Sequence, residues 1–166
     1  MLYLLVFLAV FALDQGVKWW VVTHLALYET APLIPGFLEL RYIQNTGGGW
    51  SILSEHTWLL SILTAAIMVV ILILIFRRIV RHSVGLWACS LVLAGGAGNL
   101  LDRIRLGYVV DMFNFQFIDY PVFNVADIAV VCGIILGAVY YLFLYDRYDA
   151  RKKEDRYGSH HPDGGR

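Results

Sequence analysis

Asp111 and Asp127 are the residues best suited to chemistry in this 166-residue chain. Asp111 sits in Tyr108-Val109-Val110-Asp111-Met112, and Asp127 in Phe123-Asn124-Val125-Ala126-Asp127, at the head of an apolar run. An Asp at the centre of a membrane helix costs about 2.5–3.5 kcal/mol on insertion scales, and less near the interface. Two of them in adjoining segments, at what reads as the outer mouth of an apolar bundle, ask for a chemical reason. Two carboxylates around one water can hydrolyse an amide without a metal or a covalent intermediate. The ionised member takes the proton of the water and the protonated member gives one to the carbonyl oxygen. Repulsion between them pushes their apparent pKa values apart, and those values belong to the pair.

Other polar residues could serve such a pair. Asn99, Asp102 and Arg103 follow Gly95-Gly96-Ala97-Gly98 and share a helix face at i, i+3 and i+4. A packing interface ending in a solvated ion pair explains the glycines. It explains Asn99 less well, because an amide near hydrocarbon needs hydrogen-bond partners. Asn124 is suited to cap a helix, with Asp127 in its first turn. Capping alone would account for Asp127 but leaves Asp111 unexplained. Asp14 and Lys18 form an i, i+4 pair with Gln15 between them. The plainer account is an internal ion pair that lowers the cost of both charges, from which Asp14 can still buttress the site.

The elements that must position these residues follow from composition. The chain is 59% hydrophobic and 16% charged, against about 45–50% and about 25% in soluble domains. That balance indicates an integral membrane protein. Four apolar segments, about 2–22, 57–76, 84–101 and 126–145, each approach the length needed to cross a bilayer. The expected fold is a membrane all-α bundle of four transmembrane helices with a small extracytoplasmic β element. It forms a single catalytic domain over 1–146, with an outer β-rich segment at about 27–56 and a disordered cytoplasmic tail at 147–166. The first segment lacks a basic leader and a small-x-small cleavage pattern, so it reads as a retained helix.

Arg77, Arg78 and Arg81 join the second and third segments, and Arg147, Arg151, Lys152, Lys153 and Arg156 follow the fourth. The positive-inside rule places both groups, and hence both termini, in the cytoplasm. Stretches 23–56 and 102–125 then face outward. Within the first, Leu38-Glu39-Leu40-Arg41-Tyr42 alternates as a half-buried strand does. Cys89 and Cys132 match no zinc or redox spacing and read as small packed side chains, and the five histidines form no ligand pattern. Neither a metal nor a cofactor is expected. The formal net charge of +0 and the lack of a basic stripe argue against a nucleic-acid partner.

Together these residues make the chain resemble lipoprotein signal peptidase (signal peptidase II), a bacterial family of intramembrane aspartyl proteases. The resemblance rests on Asp14-Gln15-Gly16-Val17-Lys18, Asn45-Thr46-Gly47, Gly95-Gly96-Ala97-Gly98-Asn99 with Asp102-Arg103, Val109-Val110-Asp111 and Phe123-Asn124-Val125-Ala126-Asp127. Each is weak alone, whereas all five in this order are specific. The family usually continues Asn-Thr-Gly with two small residues and Phe, where this chain has Gly48, Gly49 and Trp50. It often has Phe where this chain has Met112.

The resemblance implies that Asp111 and Asp127 are the catalytic dyad. It implies substrate-binding or supporting roles for Asp14, Asn45, Asn99, Asp102, Arg103 and Asn124, and a structural one for Lys18. It further implies a monomer in the bacterial plasma (inner) membrane with its active site near the outer face. The substrate would be a diacylglyceryl-modified prolipoprotein, cut just before the lipidated Cys. Membrane lipids and globomycin-type inhibitors are the other implied partners. A proton-coupled transporter and a non-catalytic assembly factor are the competing readings. The absence of paired broken segments weighs against the first, and Asp111 against the second.

Overall fold

The computed structural model describes residues 1–47 and 57–146. The expected features within 48–56 and 147–166, including Gly48-Gly49-Trp50 and the basic tail, lie outside the described residues. Four helices are long and apolar enough to cross a membrane: α1 (Leu2–His24), α2 (Thr57–Phe76), α3 (Ser83–Leu106) and α4 (Val125–Val139). The last continues through a π-helical turn, Tyr140–Leu144. At 1.5 Å per residue, spans of this length match a hydrocarbon core of about 30 Å. Among the described residues of α2 none is buried, as suits a peripheral helix that packs on α3 along one side and turns its other side chains to lipid.

The third helix is the hub and packs on α1, α2 and α4. Its glycines set the spacing. A Cβ on Gly95 would collide with the carbonyl oxygen of Ala126 on α4, and one on Gly98 would collide with Asp14 Oδ2 on α1. Where lipid supplies no hydrophobic drive between helices, such close approach of small residues is what holds them together. α3 continues five residues beyond the expected Leu101, so Asp102 and Arg103 lie within its final turns. Gly107 ends it at φ 81°, in the left-handed region that glycine adopts freely, and its N–H returns to Arg103 O at 3.1 Å. Neither cysteine is paired. Cys89 is half-buried, while Cys132 is exposed on α4 rather than packed. A small, weakly polar side chain is tolerated on a face turned to lipid.

Three antiparallel strands, β1 (Thr30–Ile34), β2 (Leu38–Asn45) and β3 (Val109–Phe115), form one sheet in the order β1-β2-β3. The sheet therefore joins the α1–α2 connection to the α3–α4 connection, on one side of the bundle. β2 extends beyond the expected Leu38–Tyr42 to reach Asn45, and β3 was not foreseen. Tyr42, Val110 and Met112 pack with Val21 of α1 as an apolar core that fastens the sheet to the helices. Pairing of β2 with β3 shifts between Leu40↔Phe113 and Ile43↔Asp111, so Arg41 and Tyr42 together oppose Met112. Such a bulge redirects one side chain.

Candidate active site

A buried charge cluster lies behind the two aspartates. Lys18 Nζ is 2.9 Å from Asp14 Oδ2 and 2.9 Å from Asp102 Oδ2, and it donates to Asn99 Oδ1 at 2.9 Å. All three ammonium donors are thereby used. Gln15, which sequence reasoning left without a role, donates to Asp14, Asp102 and the Gly98 carbonyl. The two carboxylates of the cluster also grip backbone. Asp14 Oδ1 accepts the N–H of Ala126 at 2.8 Å, and Asp102 Oδ2 accepts the N–H of Val110 at 3.2 Å. Each holds the residue immediately before Asp127 or Asp111.

The two aspartates come from different elements. Asp111 is on β3 and buried. Asp127 is in the first turn of α4, where helix dipole and free N–H groups favour a carboxylate. Asn124 caps that helix. Its side chain accepts the Asp127 N–H at 2.9 Å, while Asp127 Oδ2 accepts the Asn124 N–H at 3.1 Å. The same Asn124 amide donates to Asp111 Oδ1 at 2.6 Å and to Asn99 Oδ1 at 3.1 Å. Asn99 Nδ2 donates to Asp127 Oδ1 at 2.8 Å, and Asn45 Nδ2 donates to Asp111 Oδ2 at 2.8 Å. Three asparagine amides thus orient both carboxylates.

Both aspartates line one cavity of about 160 Å³ together with Asn45, Asn99 and Arg103. Arg103 Nε is buried without a hydrogen-bond partner among the described residues. A donor left free beside two carboxylates is suited to a carbonyl from outside. Burial pushes the Asp111 carboxyl up to about 7, with the negative charge of Asp127 adding to the effect. The amides of Asn45 and Asn124 and the charge of Lys18 oppose the shift. A water in this cavity would meet one carboxyl able to keep a proton near neutrality and a second whose oxygens are oriented by the Asn99 amide and the Asn124 N–H. That division supports amide hydrolysis.

The residues singled out in the sequence fall into two layers. Asp111, Asp127, Asn45, Asn99 and Arg103 line the cavity, and Asn124 bridges the two aspartates from behind it. Asp14, Asp102 and Lys18 form the supporting cluster. Sequence reasoning missed Tyr120, Pro121 and Val122, which form part of the cavity wall. Their signal was only proximity to Asn124 along the chain.

The family model for signal peptidase (SPase) II matches residues 6–143. The lipoprotein signal peptidase of Streptococcus pyogenes serotype M5 (strain Manfredo) is 40% identical over 138 residues, covering 81% of this chain and 89% of that protein. Its counterpart from serotype M1 matches to the same extent. A bacterial membrane enzyme solved by the in meso method at 2.3 Å superposes with a TM-score of 0.80 at 29% identity, over 88% of this chain and 89% of that one. A second such structure, at 1.9 Å, gives 0.79 at 29% identity over 86% and 93%. The chain belongs to the signal peptidase II family and is a multi-pass membrane protease of lipoprotein processing.

Proposed function

We propose that the chain removes the signal peptide from prolipoproteins by hydrolysing the amide before a diacylglyceryl-modified Cys, with Asp111 and Asp127 activating the water. The observation that carries this reading is a cavity lined by both carboxylates and by Arg103, whose Nε has no hydrogen-bond partner among the described residues. Asp127, ionised, takes a proton from the water as its oxygen attacks the scissile carbonyl carbon. Asp111 donates its proton to the carbonyl oxygen, giving a neutral gem-diol. Collapse returns the hydroxyl proton to Asp111 and passes the proton on Asp127 to the leaving nitrogen. Arg103 donates to a substrate carbonyl, and Asn45, Asn99 and Asn124 keep the carboxylates in register.

The reading places the site at the outer face, with both termini cytoplasmic. Arg77, Arg78 and Arg81 lie between α2 and α3, on the opposite side of the bundle from the sheet, and cytoplasmic connections are the ones enriched in arginine. A lipidated Cys at the outer leaflet would then present its amide at the membrane edge while its acyl chains stay in hydrocarbon. The working unit in this reading is a monomer, and globomycin competes for the same cavity. The test is a gel-shift cleavage assay in detergent with a diacylglyceryl-modified prolipoprotein. Cleavage by the wild type and not by Asp127→Asn is the expected result. A folded wild type that leaves the substrate intact would overturn the reading.

A further inference from the structure

A second, larger cavity of about 310 Å³ adjoins the one that holds the Asp pair, and the two share Asn45 and Asp111. It extends over the sheet instead of down the bundle, and Arg41, Gln44, Asn114 and Asp119 make its wall polar. Arg41 reaches it through the β2 bulge: Tyr42 takes the core position against Met112, and Arg41 is the additional residue. The Nε of Arg41 is buried without a hydrogen-bond partner among the described residues. A buried donor left unmade costs free energy, so its place beside the Asp pair calls for an occupant.

The other cavities around Asp127 have a different character. One runs along α4 past Phe115, Ile128, Val131 and Cys132. Another runs between α2, α3 and α4 past Ile67, Met68 and Val130. Both are walled mainly by apolar side chains, from the spans and, in the first, also from Phe115, Tyr120 and Phe123 ahead of α4. A lipidated precursor has two apolar parts, its signal helix and its acyl chains, and one polar part, the polypeptide that follows the cut. Resting on the protease reading above, we infer that the Arg41 cavity holds the polypeptide just C-terminal to the scissile bond, with Arg41 donating to its backbone carbonyl. The volume is at the small end of the ~300–1,000 Å³ typical of ligand sites, which suits a short extended stretch. Each residue of such a stretch offers one carbonyl acceptor. Arg41 is thus a binding residue for the part of the substrate that is retained in the mature lipoprotein.

The test compares two substrates with the same signal peptide and lipidated Cys. One ends at that Cys as an amide and the other carries a short polar extension beyond it. The wild type is expected to cut the extended substrate with kcat/KM about tenfold higher, mostly through KM. Arg41→Gln should bring the ratio of the two substrates close to one, and Arg41→Lys should keep part of it, because an ammonium can still donate. A wild-type ratio near one overturns the assignment, as does a ratio that Arg41→Gln leaves unchanged. In both cases the substrates are still cut and the protease reading stands. Failure of folded wild type to cut either substrate removes that reading and this inference with it. Should Arg41→Gln not fold, the free extension peptide added to wild type decides: competition with the extended substrate supports the assignment, and its absence at saturating peptide overturns it.

Discussion

Lys18 Nζ donates to Asn99 Oδ1 at 2.9 Å, and this contact decides which way the Asn99 amide faces. With its oxygen turned to the ammonium, Asn99 must present Nδ2 to Asp127, which it does at 2.8 Å. A charge on α1 thereby orients a carboxylate on α4 through one side chain of α3. Lys18→Ala would leave Asp14 and Asp102 facing each other without their cation and the Asn99 amide free to turn. Breaking a buried pair of this kind costs about 3–5 kcal/mol. The expected outcome is a large fall in the thermal midpoint in detergent, with reduced turnover in whatever folded protein remains. A variant as stable as wild type would show that the cluster contributes nothing to the fold.

Replacing either aspartate of the pair by Asn keeps shape and one of the two accepted hydrogen bonds, and removes the ability to exchange a proton. Asp111→Asn and Asp127→Asn are each expected to lower kcat by about 10²–10⁴-fold or more, the range associated with a general acid or base. Both should elute as folded protein. Rates for either variant within a factor of a few of wild type would remove that residue from the chemistry.

Much of this site was legible because its residues sit on elements with a strong period. The four spans follow from apolar length alone. Asn99, Asp102 and Arg103 share a face because α3 is a helix, and the Asn124 cap with Asp127 in the first turn is a local pattern. β3 was harder to read. Val109–Phe115 is rich in β-branched and aromatic residues, but it pairs with β2, which lies across two helices in sequence, and no local signal reports such a partner. The double duty of Asp14 and Asp102, each gripping the backbone before one member of the pair, was hidden for the same reason. Their acceptors meet Ala126 and Val110 only once the helices pack. Gln15 was visible beside Asp14, yet its three partners lie on α1 and on a part of α3 more than eighty residues away.

Gly98 offers a test of that packing. A Cβ there would collide with Asp14 Oδ2 and press on the Ala126 side chain at 3.4 Å. The clash is with the same carboxylate that holds Lys18 and the Ala126 N–H, so it cannot move without loosening the start of α4. Gly98→Ala is expected to cost about 1–3 kcal/mol, as overpacking does, and to lower turnover because Asp127 follows Ala126. Gly16, whose Cβ would meet nothing within 4 Å, is the control, and Gly16→Ala should leave activity near wild type. Equal tolerance at the two positions would mean that α1 and α3 do not approach as closely as described.

Activity should depend on pH through Asp111, and the sign can be worked out. Burial and the neighbouring Asp127 charge raise its carboxyl from the ordinary Asp range to about 7. The carboxyl therefore keeps its proton at mildly acidic pH and loses it as pH rises through about 7. The acid that protonates the carbonyl oxygen is then lost, and kcat/KM should fall by about tenfold per pH unit on the alkaline side. Stability shifts in the same direction. A raised carboxyl pKa means that the folded protein binds this proton more tightly than the unfolded chain. Its contribution therefore weakens as pH climbs from the unfolded value towards about 7. Asn45 opposes the shift, because its amide donates to Asp111 Oδ2 and favours the charged form. Asn45→Ala should accordingly move the alkaline limb to higher pH while lowering the maximal rate. A pH–rate profile of both proteins in detergent checks this, and a limb that stays in place or moves towards acid would separate Asn45 from the ionisation of Asp111.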